Sequence, residues 1–277
     1  MTFPGLVPMT NVTEAVGSSS ASFYNTLVGL GLTTGLKLCL DAGDASSYTS
    51  GQKWLDTSGG GYDFYRGTSS SSEATDPSFN GTPGNLSSSE YFSGDGGDYF
   101  SYDTTIETWM QKISKSGGVV SFLAVFQYPS ASTTILFSTR GSALSDRGID
   151  FRYNTGVGGW TVFASISGDA SATSFGSVGL GAISTGSPHI VGMSFTLGSG
   201  NSYVSHNDGV NGSGTQAAVT YTSGNPTNNM KLLASGAGGS IAPSGTRLYA
   251  LAIWQGTALT AGNFTSIYDA IHSRFGL

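Results

Sequence analysis

The chain has 277 residues, 10% charged residues, a formal net charge of −6 and a single cysteine, Cys39. Its eleven basic residues are scattered singly, which excludes a phosphate-neutralising patch for nucleic acid, and no apolar run near 18 residues predicts a membrane anchor. One thiol cannot form an internal disulfide, aromatics at 12% argue against disorder, and 42 glycines without a three-residue period exclude collagen.

Residues 1–34 read as an N-terminal arm. The opening MTFPGLVPMTNVTE has neither a charged n-region nor a long apolar h-region, so no secretory signal is expected and synthesis in a reducing cytoplasm is. Phe23, Leu27 and Leu30 fall at i, i+4 and i+7, one face of a short helix that Gly29 and Gly31 weaken. An apolar piece this poorly amphipathic is expected to dock on a neighbouring subunit.

Residues 35–277 read as one domain of short strands. In LKLCLDAG, Leu36, Leu38 and Leu40 alternate with Lys37, Cys39 and Asp41, the period of a half-buried strand. Residues 43–97 are rich in Ser, Gly and Asp but carry eight aromatics, and a structureless loop of that length is uncommon. Short strands are therefore expected near 62–66 and 89–93. Further strands are predicted at 119–128, apolar on both faces, and at 133–139, 148–153, 159–167, 189–197, 202–208, 217–222, 230–235 and 248–254. Gly, Asn and Asp turns separate them, Asn207-Asp208-Gly209 among them. The pattern predicts an all-β, two-sheet antiparallel jelly-roll sandwich. A closing helix is predicted over 261–274, with Thr260 as N-cap, Phe264, Ile267, Ile271 and Phe275 as one apolar stripe, Arg274 complementing the dipole and Gly276 as the left-handed stop.

Read together, LKLCLDAGDASSY, KWLDTSGGGYDFY and YFSGDGGDYFSY resemble the LamG-like, concanavalin A-type jelly rolls of bacteriophage and bacterial surface proteins. The matching positions are Asp41-Ala42, Ser47-Tyr48, Trp54, Asp56, Ser58-Gly59, Gly61, Phe92, Gly94, Gly97, Asp98 and Tyr99. His189, Val191, Phe195, Tyr203 and Asn207 resemble a later strand pair, with Asp208 inserted before Gly209, and AIWQGTALT followed by a helix resembles the family's close. The resemblance spans residues 36–277 and implies a virion or surface protein; it names no ligand.

Residue chemistry adds little to that. The four glutamates, Glu14, Glu73, Glu90 and Glu107, do not form the E-x-D-x-E spacing that glucanases of this fold use for nucleophile and acid. No G-x-S-x-G pentad occurs, and His189, His206 and His272 stand alone, without metal-ligand spacing. No cofactor is expected. Asp95 and Asp98, or Asn207 and Asp208, are the oxygen donors a calcium ion would use, although turns capping their own N–H groups account for the same residues.

Two readings follow. The first is a non-enzymatic structural protein of a bacteriophage particle, a capsid decoration or tail-associated subunit, assembled in the host cytoplasm. Its partners would be other virion subunits in a homo-oligomer, docked through Phe23, Leu27 and Leu30. The second is a carbohydrate-binding module for host-surface glycan, with Tyr62 and Tyr65 stacking on sugar rings. Neither involves nucleic acid or membrane insertion.

Overall fold

The computed structural model describes residues 21–129, 132–141, 146–154, 159–165, 172–175, 184–198, 202–215 and 220–277. Two antiparallel eight-stranded sheets face each other. Numbered in chain order, the first contains β1 (Leu36–Asp41), β4 (Ser78–Asn80), β5 (Tyr91–Ser93), β7 (Val119–Gln127), β12 (Pro188–Thr196), β13 (Ser202–Asn207), β14 (Val210–Thr215) and β16 (Arg247–Gln255). The second contains β2 (Lys53–Trp54), β3 (Phe64–Arg66), β6 (Phe100–Tyr102), β8 (Thr134–Ser138), β9 (Ile149–Asn154), β10 (Gly159–Ser165), β11 (Ala172–Phe175) and β15 (Lys231–Leu232). The strand order is β14-β13-β12-β7-β16-β5-β4 in the first sheet, where β1 also pairs with β16, and β11-β10-β9-β8-β15-β6-β3-β2 in the second. The all-β sandwich predicted from strand spacing is the observed architecture.

Period-2 alternation sorts the central strands between two cores. On β7, Val120, Phe122, Ala124 and Phe126 face the second sheet, while Leu123 and Val125 face away from it. On β16, Leu251 and Ile253 point inward and Ala250, Ala252 and Trp254 outward. A strand apolar on both faces needs cover on both. Helices α1 (Phe23–Gly29) and α3 (Ala261–Ile271) supply the second layer of cover for the first sheet.

Helix α3 has the capping box of Thr260 and Asn263. Its predicted stripe, Phe264, Ile267 and Ile271, is buried on the outer face of the first sheet, and Phe275 follows in a 3-10 turn, His272–Phe275. Phe264 fits because β12 has Gly192 beneath it: a Cβ there would come within 2.6 Å of Phe264 Cε1. Gly276, at φ 75°, ends the turn as predicted.

The docking arm requires correction. Phe23 and Leu27 are fully buried against this chain's own first sheet, alongside Cys39, Trp254 and Leu259. Leu30 is 37% exposed. The helix is anchored at Ser22, whose side chain accepts the Asn25 N–H. Gly31, expected to weaken the helix, instead terminates it at φ 69°, with Gly31 N–H donating to the Val28 carbonyl and Leu32 N–H to the Leu27 carbonyl. The Leu32 carbonyl then accepts Trp254 Nε1 at 2.7 Å. Residues 21–34 therefore belong to the sandwich, and the rest of the arm lies outside the described residues.

Other elements differ in detail. Helix α2 (Thr108–Lys112), β2, β4, β6 and β11 have no counterpart among the predicted elements; each is five residues or fewer, too short to show a period. The strand expected at 230–235 contracts to Lys231–Leu232, because Leu233 turns to φ 65°. The segment predicted at 217–222 lies partly outside the described residues, and its described end carries a single bridge at Tyr221. The Gly-rich stretch after Asp208-Gly209 is a strand, β14, because both turn residues adopt positive φ (45° and 86°) and return the chain in register with Asn207 opposite Val210.

Candidate functional site

The conspicuous aspartates of the sequence hold the fold. Asp41 ends β1 on the helix-covered face. Its Oδ1 accepts Arg274 Nη2 at 2.5 Å and the Gly43 N–H at 3.0 Å, and its Oδ2 accepts Arg274 Nη1 at 2.8 Å and the Phe23 N–H at 2.9 Å. Arg274 keeps its predicted place in the last turn and is held there in a buried bidentate ion pair. Asp56 Oδ1 accepts the N–H groups of Cys39 (2.9 Å) and Ser58 (2.9 Å), and its Oδ2 accepts the Tyr62 N–H (3.2 Å) and the Ser58 hydroxyl (2.7 Å). The buried Glu90 carboxylate gathers the N–H groups of Thr82 and Ser87, the Ser87 hydroxyl and the Asn85 amide. Its pKa is lowered, since these donors outweigh the opposing effect of burial.

The aspartates singled out as calcium donors are occupied in the same way. Asp98 Oδ2 accepts the Asp95 N–H at 2.9 Å and Asp95 Oδ1 accepts the Gly97 N–H at 2.8 Å. Asp208 Oδ1 accepts the Ile190 N–H at 2.8 Å. Among the described residues no group of three or more His, Cys, Asp or Glu side chains converges as a metal site. Asp95 and Asp98 close their own turn, and Asp208 ties its turn to β12.

One arrangement has the outline of a catalytic triad. His189 Nδ1 lies 2.5 Å from Asp208 Oδ2, and its Nε2 lies 3.4 Å from Ser184 Oγ. But Nε2 is 2.7 Å from the Ser184 carbonyl oxygen. A carboxylate and a carbonyl only accept, so both ring nitrogens must donate and the ring is the imidazolium. Burial alone would lower the His189 pKa; the bonds to Asp208 and Ser184 raise it overall. No lone pair is left to take the serine proton, so the trio cannot serve as a nucleophile and base.

The predicted glycan contacts separate. Tyr62 is half-buried, with its ring 6.1 Å from Tyr102 and 5.4 Å from Trp109, on the core side of the second sheet. Tyr65 lies on the opposite, outer face, with Lys53 Nζ 5.3 Å from its ring centroid. The two do not form one stacking platform.

A concavity with binding chemistry lies elsewhere, on the outer face of the first sheet where the helices leave it bare. Ser78, Ser93 and Arg247 stand in register across β4, β5 and β16. The Arg247 guanidinium lies over the Tyr91 ring at 4.4 Å, and the Tyr249 ring meets Tyr91 at 5.3 Å. Loop 94–98 closes one end. It is tied to the loop before β16 through Gly94 N–H to the Thr246 carbonyl (3.0 Å) and Gly245 N–H to the Gly94 carbonyl (2.8 Å). The groove has a volume of about 330 Å³ and is lined by Tyr91, Arg247, Asp95, Asp98 and the serines. Burial and the adjacent Asp95 charge push the Asp98 carboxyl up to about 6. Arg247 forms no ion pair among the described residues. A larger cleft of about 380 Å³ beside Tyr24 contains Asp44 and Asp56, but Asp56 is committed to the staple above.

Sequence reasoning singled out Asp95 and Asp98, for an ion, and missed Tyr91 and Arg247. Their partner strands are 156 residues apart in the chain, and each is an ordinary polar-face residue of its own strand.

The class defined by this architecture is the antiparallel β-sandwich with an exposed polar groove. No protein-family model matches the chain, and no curated protein matches it. Among solved structures it is similar to Trypanosoma rangeli sialidase, with a TM-score of 0.51 and 12% identity over 85% of this chain and 32% of that one. It is also similar to the botulinum neurotoxin serotype D binding domain, with a TM-score of 0.52 and 12% identity over 87% of this chain and 52% of that one. The botulinum neurotoxin type G receptor binding domain gives a TM-score of 0.50 and 11% identity over 84% of this chain and 51% of that one. The chain thus spans about a third to a half of the length of these proteins. At such identities the likeness is one of fold.

Proposed function

We propose that this chain is a non-catalytic recognition module that binds a neutral saccharide in the groove of Tyr91, Arg247, Asp95 and Asp98, as part of a bacteriophage particle. The observation that carries the reading is the groove's mixed lining: an aromatic ring backed by a guanidinium, two carboxyl groups and several hydroxyls. That combination of one apolar surface with convergent donors and acceptors suits a polyol, which offers both C–H faces and hydroxyl groups. Receptor-binding domains stand among the fold neighbours beside a sialidase, and they support a binding role. The commitment of Phe23 and Leu27 to the chain's own core removes the docking contact that had favoured a purely structural subunit.

The phage setting rests on the order of the LamG-like motifs, and mass spectrometry of purified particles tests it: absence of the chain from particles of the phage encoding it refutes it. Assembly as a homo-oligomer is tested by light scattering of the purified chain, where a monomer at all concentrations refutes it. For the groove, the full chain is screened on a glycan array and hits are titrated by calorimetry. Tyr91→Ala and Arg247→Met are each expected to weaken binding of a neutral hit at least tenfold, equivalent to about 1.4 kcal/mol. A neutral-glycan hit unaffected by both substitutions, or no such hit, refutes the reading.

A further inference from the structure

The outer face of the second sheet carries a polar row that the groove does not use. Lys53 on β2 pairs in register with Tyr65 on β3, Tyr65 with Ser101 on β6, and Ser101 with Lys231 on β15. Residues directly opposite one another share a face, and the contacts agree: Lys231 Nζ donates to Ser101 Oγ at 2.9 Å and sits 5.2 Å from the Tyr99 ring centroid.

The two lysines of the row differ in electrostatic surroundings. Lys53 is neutralised, with Asp103 at 2.5 Å and Asp63 at 3.8 Å, and its pKa is raised, foremost by the Asp103 hydrogen bond. Lys231 is half-buried and forms no ion pair among the described residues. Its neighbours are a hydroxyl, a phenol ring and the Gly238 turn, at φ 81°. Burial lowers its pKa, and no nearby acid counteracts this. In a chain of net charge −6, a cation withdrawn from water without a counter-ion is an unbalanced cost.

We propose that Lys231 receives the anionic group of an acidic saccharide, a carboxylate or a sulfate, whose neighbouring sugar ring rests against Tyr65. Lys231 Nζ reaches Ser101 on β6, the strand between β15 and β3, so ring and anion are held one to two strand spacings of about 4.8 Å apart, on the scale of adjoining sugar units. This site is separate from the groove and takes a different class of ligand.

The test titrates the full chain with three probes of one length, trigalacturonate, a sulfated galactotriose and uncharged galactotriose, and with inorganic sulfate, followed by amide NMR and calorimetry. One of the two acidic probes is expected to bind at least tenfold more tightly than galactotriose and to shift the Ser101 and Lys231 amides; the tighter one identifies the acidic group. Lys231→Met is expected to lose at least tenfold and Lys231→Arg to retain binding. Tyr65→Ala, at a half-buried surface position, is expected to lose several-fold. The proposal is overturned by equal binding of charged and neutral probes, by no binding of either acidic probe, or by unimpaired binding in folded Lys231→Met or in Tyr65→Ala. Inorganic sulfate binding as tightly as the acidic probes would mean an adventitious ion only, and also overturns it.

Discussion

Replacing Arg274 by methionine is expected to destabilise the whole sandwich, although the residue lies in the short 3-10 turn that follows α3. Its guanidinium and the Asp41 carboxylate form two hydrogen bonds of 2.5 and 2.8 Å, with side-chain exposures of 3% and 0%. Methionine preserves much of the stem's apolar packing and deletes the charge, leaving Asp41 buried with only the Phe23 and Gly43 N–H groups as partners. Removing one member of a buried ion pair costs about 3–5 kcal/mol, and the two surviving donors place the expected loss near the lower end, about 3 kcal/mol. At about 2–4 °C per kcal/mol for a domain of this size, Tm should fall by roughly 6–12 °C. Scanning calorimetry and urea unfolding measure this, and an unchanged m-value confirms that the loss is one of stability. The double variant Asp41→Asn/Arg274→Met should recover part of the loss: neither charge is then stranded, but the Asn amide oxygen can accept only one of the Phe23 and Gly43 N–H groups. A single variant melting within about 2 °C of the wild type, well inside the shift derived from the ion-pair cost, or two substitutions whose effects simply add, would refute the argument.

Three further outcomes follow from particular contacts. Gly192→Ala places a methyl group against the Phe264 ring and should cost about 1–3 kcal/mol by overpacking, read as a lower urea midpoint. Asp98, with its folded pKa raised to about 6 from 3.8, contributes stability that is fully present below pH 3.8 and lost as pH rises through 6. Asp98→Asn should therefore gain on the wild type across that window and hold a constant advantage above it, whereas a pH-independent difference refutes the assignment. The two buried histidines titrate in opposite directions. His189, raised by Asp208 and Ser184 against the effect of burial, contributes stability present below 6.5 and lost as pH rises through its folded pKa. His206 is lowered by burial; its Nδ1–H donates to Asn211 Oδ1 at 2.8 Å and its Nε2 accepts the Gly209 N–H at 3.3 Å. It contributes stability present above 6.5 and lost as pH falls through its folded pKa. Nitrogen NMR of the imidazoles at pH 6.5 should show His189 as the cation and His206 as the neutral Nδ1–H tautomer.

Features that depend on near neighbours were legible before the fold was known. Alternation at Leu38 and Leu40, the apolar run of β7, and the Phe264, Ile267 and Ile271 stripe with its Thr260 cap each express a spacing of two to four residues. Backbone sterics and side-chain direction set those spacings locally, so the strands, the closing helix and the sandwich class could be read directly. The helix at Phe23–Gly29 was visible too, but its destination was not. An apolar stripe records that something covers it and says nothing about which surface does.

What required the folded chain is whatever joins residues distant in sequence. Arg274 meets Asp41 across 233 positions. The groove assembles residues from Ser78 to Arg247, and the lysine and tyrosine row spans four strands between Lys53 and Lys231. Strands of two or three residues, such as β2, β4 and β15, carry too little pattern to place these residues on a face. Register and strand order place them, and both are settled by burying two faces of one sheet at once. Asp95 and Asp98 illustrate the same limit: their sequence marks them as oxygen donors for an ion, and only the direction of neighbouring N–H groups makes them staples.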